Sequence, residues 1–356
     1  MKVYILSDME GTACVTTWDQ VSAGTEGYEE ARFWLTAEVN AAAAGAFDTG
    51  AKFVLVNDGH GDQKNLLHDE LDPRIEVIQG KGRSMWEGLD NTFGAFFQVG
   101  AHSRAGTPEG NLRHVWSADD WIEVRIDGEA VGEIALFARG AAQRGVPCVF
   151  VTGDDKACAE AAACLAGVET AQVKTGLGVL SARTLTPAAA CRKIRQHARK
   201  ACRQAASVKP LEITGETHTV EIFRLAKPEG DCYAATLERD LLDALPRTVQ
   251  AATAPTIIEA FELALKARPA PAEPPAPLPP PVVEPEPVEV PEAPAVVEPP
   301  PAAVETLEAP PAAIDSAPIA PETPAAAPAS EPLVDGPPAP AQGEPLQPAG
   351  PEGGAQ

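Results

Sequence analysis

At Pro269 the composition of this chain changes outright. Beyond it there is no Lys, no Arg and no aromatic residue, and 28 of the 36 prolines lie there. Such a stretch cannot bury enough apolar surface to offset the entropy of ordering it, and its prolines remove backbone donors. Residues 269–356 are therefore expected to form a disordered Pro/Ala/Glu-rich tail, partly polyproline-like. That leaves residues 1–268, enough for one large α/β domain with its own core. The formal charge of −23 divides the same way. The tail holds 14 acids and no bases, so 1–268 carries 37 acids against 28 bases, or −9. Neither part offers the basic face that nucleic acid requires, so no nucleic-acid partner is expected.

Seven cysteines, at 14, 148, 158, 164, 191, 202 and 232, make an odd set without a Cys-x-x-Cys pair. They sit among alanines and valines, as small buried hydrophobes do, which points to a reducing compartment. The N-terminus enters a strand directly, so no secretory signal is expected. No uninterrupted apolar run approaches the roughly 20 residues that span a bilayer. The expectation is a soluble cytoplasmic protein without a membrane partner.

Within 1–268, strand-like and helix-like segments alternate. Val3 to Leu6 reads as a buried strand that delivers Asp8 and Glu10 at its end. Side chains two apart on a strand share a face, so the two carboxylates point the same way. A helical run from about Thr25 to Phe47 ends near Gly50. Ala51 to Val56 is a second strand leading into Asp58 and His60, and Ile75 to Ile78 a third. Phe93 to Val99 is a fourth, presenting His102, with His114 in the segment after it. Trp121 to Ile126 alternates like a half-buried strand, Asp127-Gly128 makes a tight turn, and a helix carrying Glu133 begins near Ala130.

Val146 to Val151 is the next strand, followed by a helix over 156–165 for which Asp154 or Asp155 is the natural N-cap. Another strand covers Val168 to Lys174, and a basic, Ala-rich helix runs from Pro187 to Ala206. Residues 211–253 suggest an additional β-rich region before a last helix at about 255–267. The fold class is thus α/β, a mostly parallel sheet flanked by helices with an additional β-rich C-terminal region.

Two carboxylates held side by side repel unless a cation sits between them. Asp8, Glu10, His60, His102 and Glu133 form a set of carboxylates and imidazoles without a thiolate, which suits zinc, manganese or iron in a catalytic site. Five groups exceed what one tetrahedral ion with an open position needs, whereas two ions sharing a carboxylate use them all. His68, in a polar loop, His197, on the basic helix, and His218, in an alternating segment, are left as structural or surface residues.

These residues lie in motifs that resemble a known family. Ser7-Asp8-Met9-Glu10-Gly11 is similar to the opening signature of zinc-dependent D-aminopeptidases of the kind encoded in bacterial dipeptide-transport operons. Asn57-Asp58-Gly59-His60 with Asn65-Leu66 is similar to the second. Met85-Trp86-Glu87-Gly88-Leu89-Asp90 and Gly100-Ala101-His102-Ser103-Arg104-Ala105 follow in order, and Val131-Gly132-Glu133, Gly153-Asp154-Asp155 and Val173-Lys174 complete the series. The resemblance implies a hydrolase with two zinc ions per subunit, held by Asp8, Glu10, His60, His102 and Glu133, Asp8 bridging. It implies that His114 is catalytic, as proton shuttle, oxyanion stabiliser or nucleophile. It further implies a homo-oligomer, a decamer of two stacked pentameric rings. The stretch from His102 to His114 is about one residue longer than the family pattern, near Glu109-Gly110, and Thr12-Ala13-Cys14 replaces the usual apolar and glycine residues.

The function expected is hydrolysis of short peptides or amides with an N-terminal D-amino acid by a zinc-activated hydroxide. The rival readings are a related metallo-amidohydrolase for L-peptides or another small amide, and a non-catalytic scaffold of the same fold. Lys174 and Asp155 are expected either to touch substrate or to brace strand ends. The tail is expected to be a solvating or tethering arm, or a ligand for a Pro-binding partner domain.

Overall fold

β1 (Lys2–Ser7) has parallel neighbours on both sides, which is why its sequence KVYILS is apolar on both faces. In the computed structural model, which describes residues 1–226 and 234–272, the chain continues through α1 (Tyr28–Phe47) to β2 (Phe53–Asp58), β3 (Ile75–Ile78) and β4 (Ala95–Ala101). The hairpin of β5 (Trp121–Ile126) and β6 (Glu129–Val131) leads into α2 (Glu133–Ala142). β7 (Cys148–Asp154), α3 (Asp155–Cys164), β8 (Glu169–Gly178), β9 (Ser181–Thr184) and α4 (Pro187–Gln204) follow. The last elements are β10 (His218–Leu225), α5 (Arg239–Ala244), β11 (Arg247–Ala254), α6 (Ile257–Ala264) and β12 (Ala270–Ala272).

The strands form two sheets. The larger has the order β3-β2-β1-β4-β7-β8-β9 and is parallel except for the β8–β9 hairpin at its edge. The smaller, β12-β11-β10-β5-β6, is antiparallel. The α/β class and the mostly parallel sheet are as the alternation of elements led one to expect. Strand alternation assigns side chains to the two faces of the larger sheet. Val3, Ile5, Val54 and Val56 pack with α1 and α4 in one core. Tyr4, Leu6, Leu55 and Phe96 face the other way, into a core shared with α2, α6 and the smaller sheet.

Several boundaries differ from the sequence-based expectation. The helix expected from Ala130 begins at Glu133, because Asp127 and Gly128 both adopt positive φ and turn the chain into β6, pairing Val131 with Val124. Glu133 thereby becomes the first residue of α2 rather than an interior one. β2 extends two residues further than expected, to Asp58, because parallel pairing with β1 continues to Ser7. The β-rich region is not confined to the C-terminus: β10 pairs with β5 from mid-chain, and α5 interrupts it. β9 was not expected at all. The domain end at 268 is also passed, since Ala270–Ala272 pairs with Arg247–Val249. Pro271 is tolerated there because β12 is an edge strand. The rest of the expected tail, 273–356, lies outside the described residues, as does Cys232. None of the described helices is long and apolar enough to cross a membrane.

Candidate metal centre

The strand order of the larger sheet reverses its direction of winding between β1 and β4, and in such sheets the crevice beyond the carboxyl ends of the strands is where ligands bind. Asp8 and Glu10 follow β1, His60 follows β2 and His102 follows β4, so three adjacent parallel strands discharge into one place. Their ends are drawn together by backbone contact. Asp8 N donates to Val99 O at 2.8 Å and Gly11 N to Gly100 O at 2.7 Å. A Cβ at Gly11 would stand 2.0 Å from Ala101 O, and one at Gly100, where φ is +76°, would stand 2.1 Å from Asp8 O. Only glycine permits that approach. Glu133 arrives at the N-terminus of α2, and His114 on the loop before β5.

The six residues form two groups, Asp8 with Glu10 and His60, and His102 with His114 and Glu133. Within each group the candidate ligand atoms lie within 4.8 Å of one another. His60 Nε2 donates to Val21 O at 2.7 Å. That leaves Nδ1, at 3.1 Å from both Asp8 Oδ1 and Glu10 Oε2, turned towards two carboxylates. In the same manner His102 Nδ1 donates to Ser103 O at 3.1 Å. Its Nε2 faces Asp8 Oδ2 at 3.4 Å and Glu133 Oε1 at 3.3 Å. Backbone carbonyls that fix the outer ring nitrogen and orient the inner one are the usual support of metal-binding histidines. The ring of His114 stacks on that of His102 with centroids 3.9 Å apart. Its Nδ1 donates to Leu112 O at 2.9 Å.

The electrostatics ask for positive charge. Burial and the neighbouring Glu10 push Asp8 up to about 7. Burial works against the charged forms of Glu10 and Glu133, but His60 beside the first and His102 beside the second hold both below the usual glutamate range. Burial likewise opposes the imidazolium forms, yet Glu10 and Asp8 lift His60 well above its ordinary value and Glu133 lifts His102 to about 10. His114 moves the other way, down to about 4, through burial and repulsion from His102. The cluster therefore retains protons between acceptors that otherwise repel, and a divalent cation meets the same demand. Glu10 Oε2 sharpens the point, for it is buried and the His60 nitrogen 3.1 Å from it is shared with Asp8 Oδ1. The residues present fit a metal centre in donor type, burial and orientation.

Other residues support the site, and several carried no sequence signal. Lys174 is buried, and its ammonium donates to the carbonyls of Glu10 and Val15. It braces the loop after β1, and burial brings it down to about 8. Asp58 turns away from the cluster and receives Asn65 N, Leu66 N and Gln79 Nε2, which shapes the loop beyond His60. Asp154 is the N-cap of α3, accepting from Ala157 N at 2.7 Å, and also accepts from Asn111 N at 3.0 Å on the loop to His114. Asp155 accepts from Gly176 N and pairs with Lys156, a bracing role. Trp116 N donates to Glu133 Oε1 at 2.6 Å, and Trp18 meets the His114 ring edge-on. Two of the histidines left aside are engaged elsewhere, His197 with Glu169 and His218 with Asp127. The six described cysteines are free thiols.

The cluster opens into a cavity of about 310 Å³, whose walls include Trp18, Val21, Met85, Trp116 and Asp119. That is the lower end of the range for small-ligand sites. A D-aminopeptidase of Bacillus subtilis (strain 168) is 37% identical over 215 residues, or 59% of this chain and 77% of that protein. Among solved structures, the Zn-dependent D-aminopeptidase DppA from Bacillus subtilis, described as a self-compartmentalizing protease, matches with a TM-score of 0.66 at 31% identity. The match covers 75% of this chain and 96% of that one. The sequence profile of the D-aminopeptidase family, peptidase M55, matches residues 1–263, which takes in the larger sheet, the smaller one except β12, and every residue of the cluster. The chain belongs to the D-aminopeptidase family.

Proposed function

We propose that this protein is a zinc-dependent aminopeptidase that releases the N-terminal D-amino acid of short peptides or amides at a site for two zinc ions per subunit. One observation carries the reading. Asp8 turns Oδ1 towards His60 and Oδ2 towards His102, one oxygen to each half of the cluster. A carboxylate so placed would serve two ions, Glu10 and His60 joining it at one and His102 and Glu133 at the other. The naming of the Bacillus subtilis proteins as D-aminopeptidases, one of them Zn-dependent, supports the choice of reaction and metal.

Bound zinc would supply a water of pKa about 7 and polarise the scissile carbonyl. The chain supplies the proton path. With Nδ1–H donated to Leu112 O, His114 keeps a lone pair on Nε2, on a ring that lines the cavity. In that tautomer Nε2 accepts a proton from the attacking water and then passes it to the leaving amine. Oxyanion stabilisation needs a donor at Nε2, which the ring has only after that first transfer, so proton shuttling is the role we assign. Burial of the His102 and Glu10 side chains keeps bulk water from competing at the reacting atoms.

We further propose that the protein works as a homo-oligomer. DppA is described as self-compartmentalizing, and Leu177 and Leu180, on the exposed β8–β9 hairpin, offer apolar surface for self-association. Light scattering on the purified protein tests this, and a monomer would refute it. The activity is tested by p-nitroaniline release from D-alanyl and L-alanyl p-nitroanilides, with zinc and after chelation. Release from the D-substrate that requires zinc is expected. Equal release without metal, or turnover of the L-substrate alone, would overturn the reading.

A further inference from the structure

An aminopeptidase must tell a free α-ammonium from an amide nitrogen, and the cavity beside the cluster contains one group suited to that. Apart from the cluster residues and His114, the charged side chain on its wall is Asp119. No Lys or Arg lines it among the described residues, so the cavity has nothing to hold a substrate carboxylate. Gln63 adds an acceptor, its Oε1 being buried without a partner, but a neutral amide does not match the charge of an ammonium.

The backbone of Asp119 is held in place, while its side chain is exposed and unspent. Its carbonyl accepts from Ala234 N at 2.9 Å and its N–H donates to Ser117 Oγ at 3.4 Å. Its sequence neighbour Asp120 is occupied, with Arg224 Nη2 at 2.6 Å and Ser117 Oγ at 3.2 Å. The Asp119 carboxylate has no hydrogen bond or ion pair with any described residue. Two adjacent aspartates thus differ in use, one neutralised against the smaller sheet and one left open on the cavity wall. The turn that carries Asp119 is tied to the cluster itself through Trp116 N and Glu133 Oε1.

We infer that Asp119 is the specificity residue that receives the substrate's α-ammonium, with the scissile carbonyl at the cluster. The inference rests on the aminopeptidase reading above and names the group that enforces it. An ammonium on Asp119 and a carbonyl at the cluster fix two bonds of the α-carbon. The third substituent then meets the remaining wall, which includes Trp18, Val21 and Met85. Three-point attachment of this kind distinguishes the hands of an amino acid, because inverting the α-carbon exchanges the side chain with hydrogen.

The test uses the zinc-loaded full chain, D-alanyl p-nitroanilide as substrate and propionyl p-nitroanilide, the same acyl group without the amine, as competitive inhibitor. Asp119→Asn should lower kcat/KM for the substrate by at least about 10-fold, carried by KM, since a hydrogen bond to a charged group is lost. The inhibition constant of the propionyl compound should stay the same, Asp119→Glu should recover part of the loss, and the preference for D- over L-alanyl substrate should shrink. Zinc content and melting temperature verify that the variants are intact. An unchanged KM in Asp119→Asn, or equal weakening of substrate and propionyl inhibitor, overturns the inference while leaving the aminopeptidase reading standing. Wild-type protein that turns over neither alanyl substrate brings down both.

Discussion

The two halves of the cluster are built differently. Asp8, Glu10 and His60 come from the ends of β1 and β2, which are hydrogen-bonded neighbours with Ser7 paired to Asp58. Their placement follows from one parallel strand pair. His102, His114 and Glu133 come from the end of β4, from a loop and from the first residue of α2, three elements that no single ladder holds together. Their placement depends on Trp116 N reaching Glu133, on Leu112 O reaching His114 and on the stacking of two imidazoles. The first half is a product of the sheet. The second is assembled by loops, and it is the half that carries the proposed proton shuttle and leads to Asp119. Rigid strands position the charge, while the more adaptable loops set the chemistry and the choice of substrate.

Asp8 belongs to both halves, so Asp8→Ala is expected to have the largest effect. Activity on D-alanyl p-nitroanilide should fall by more than about 10³-fold, and one zinc per subunit or fewer should remain by elemental analysis, with the fold kept by circular dichroism. Full turnover by protein confirmed free of metal would end the two-ion description of the comparison.

His114→Ala touches only the loop-built half. It should lose at least about 10²-fold in kcat with both ions still bound. Near-normal kcat would mean that some other group moves the proton.

Lys174→Met touches only the strand-built half. It leaves the carbonyls of Glu10 and Val15 without their donor and should cost about 2–4 kcal/mol in denaturant unfolding. Zinc loss during graded chelation should be accelerated at one of the two positions. Loss of both ions in parallel would show that the halves are not independent.

The smallest effect is one of pH on metal-free protein. His60 and His102 hold protons in the folded state that they lose in the unfolded state near pH 6.5, His102 keeping its proton up to about 10. A group with a raised folded pKa stabilises fully below its unfolded value and loses that contribution as pH rises through the folded one. The melting temperature of metal-free protein should therefore fall from pH 6.5 to 8, before Lys174, lowered to about 8, begins to act in the opposite sense. With zinc bound the sign reverses, since acid makes protons compete for the ligands. A melting temperature of the metal-free protein that is flat over this window would show that the imidazoles stay neutral there.

Legibility in the sequence follows the same division. Ile75–Ile78 and Trp121–Ile126 were bounded to the residue, because clean apolar patterns end at turn formers on both sides. Asp8 with Glu10, and His60 beyond Asn57-Asp58-Gly59, stand out because strand ends are marked by short apolar runs. Of the two places expected for Lys174, bracing is what its bonds to the Glu10 and Val15 carbonyls describe, whereas a Trp in a polar loop says nothing of the imidazole that Trp18 meets. Asp119 and Asp120 look alike in the sequence, and nothing local foretells which of them Arg224 will neutralise.

Residue order alone determined the α/β class, the composition break near 269, and the donor types of the cluster, since these depend on local periodicity, on the identity of side chains and on the entropy cost of Pro-rich chain. Tertiary structure alone decided that β5 and β6 join β10 and β11 across about a hundred residues, that Ala270–Ala272 pairs with β11, and which nitrogen of each imidazole faces the carboxylates. Those outcomes rest on backbone carbonyls and long-range strand pairing. Every residue carries a carbonyl and an amide of the same kind, so which of them meet is settled by how the whole chain packs.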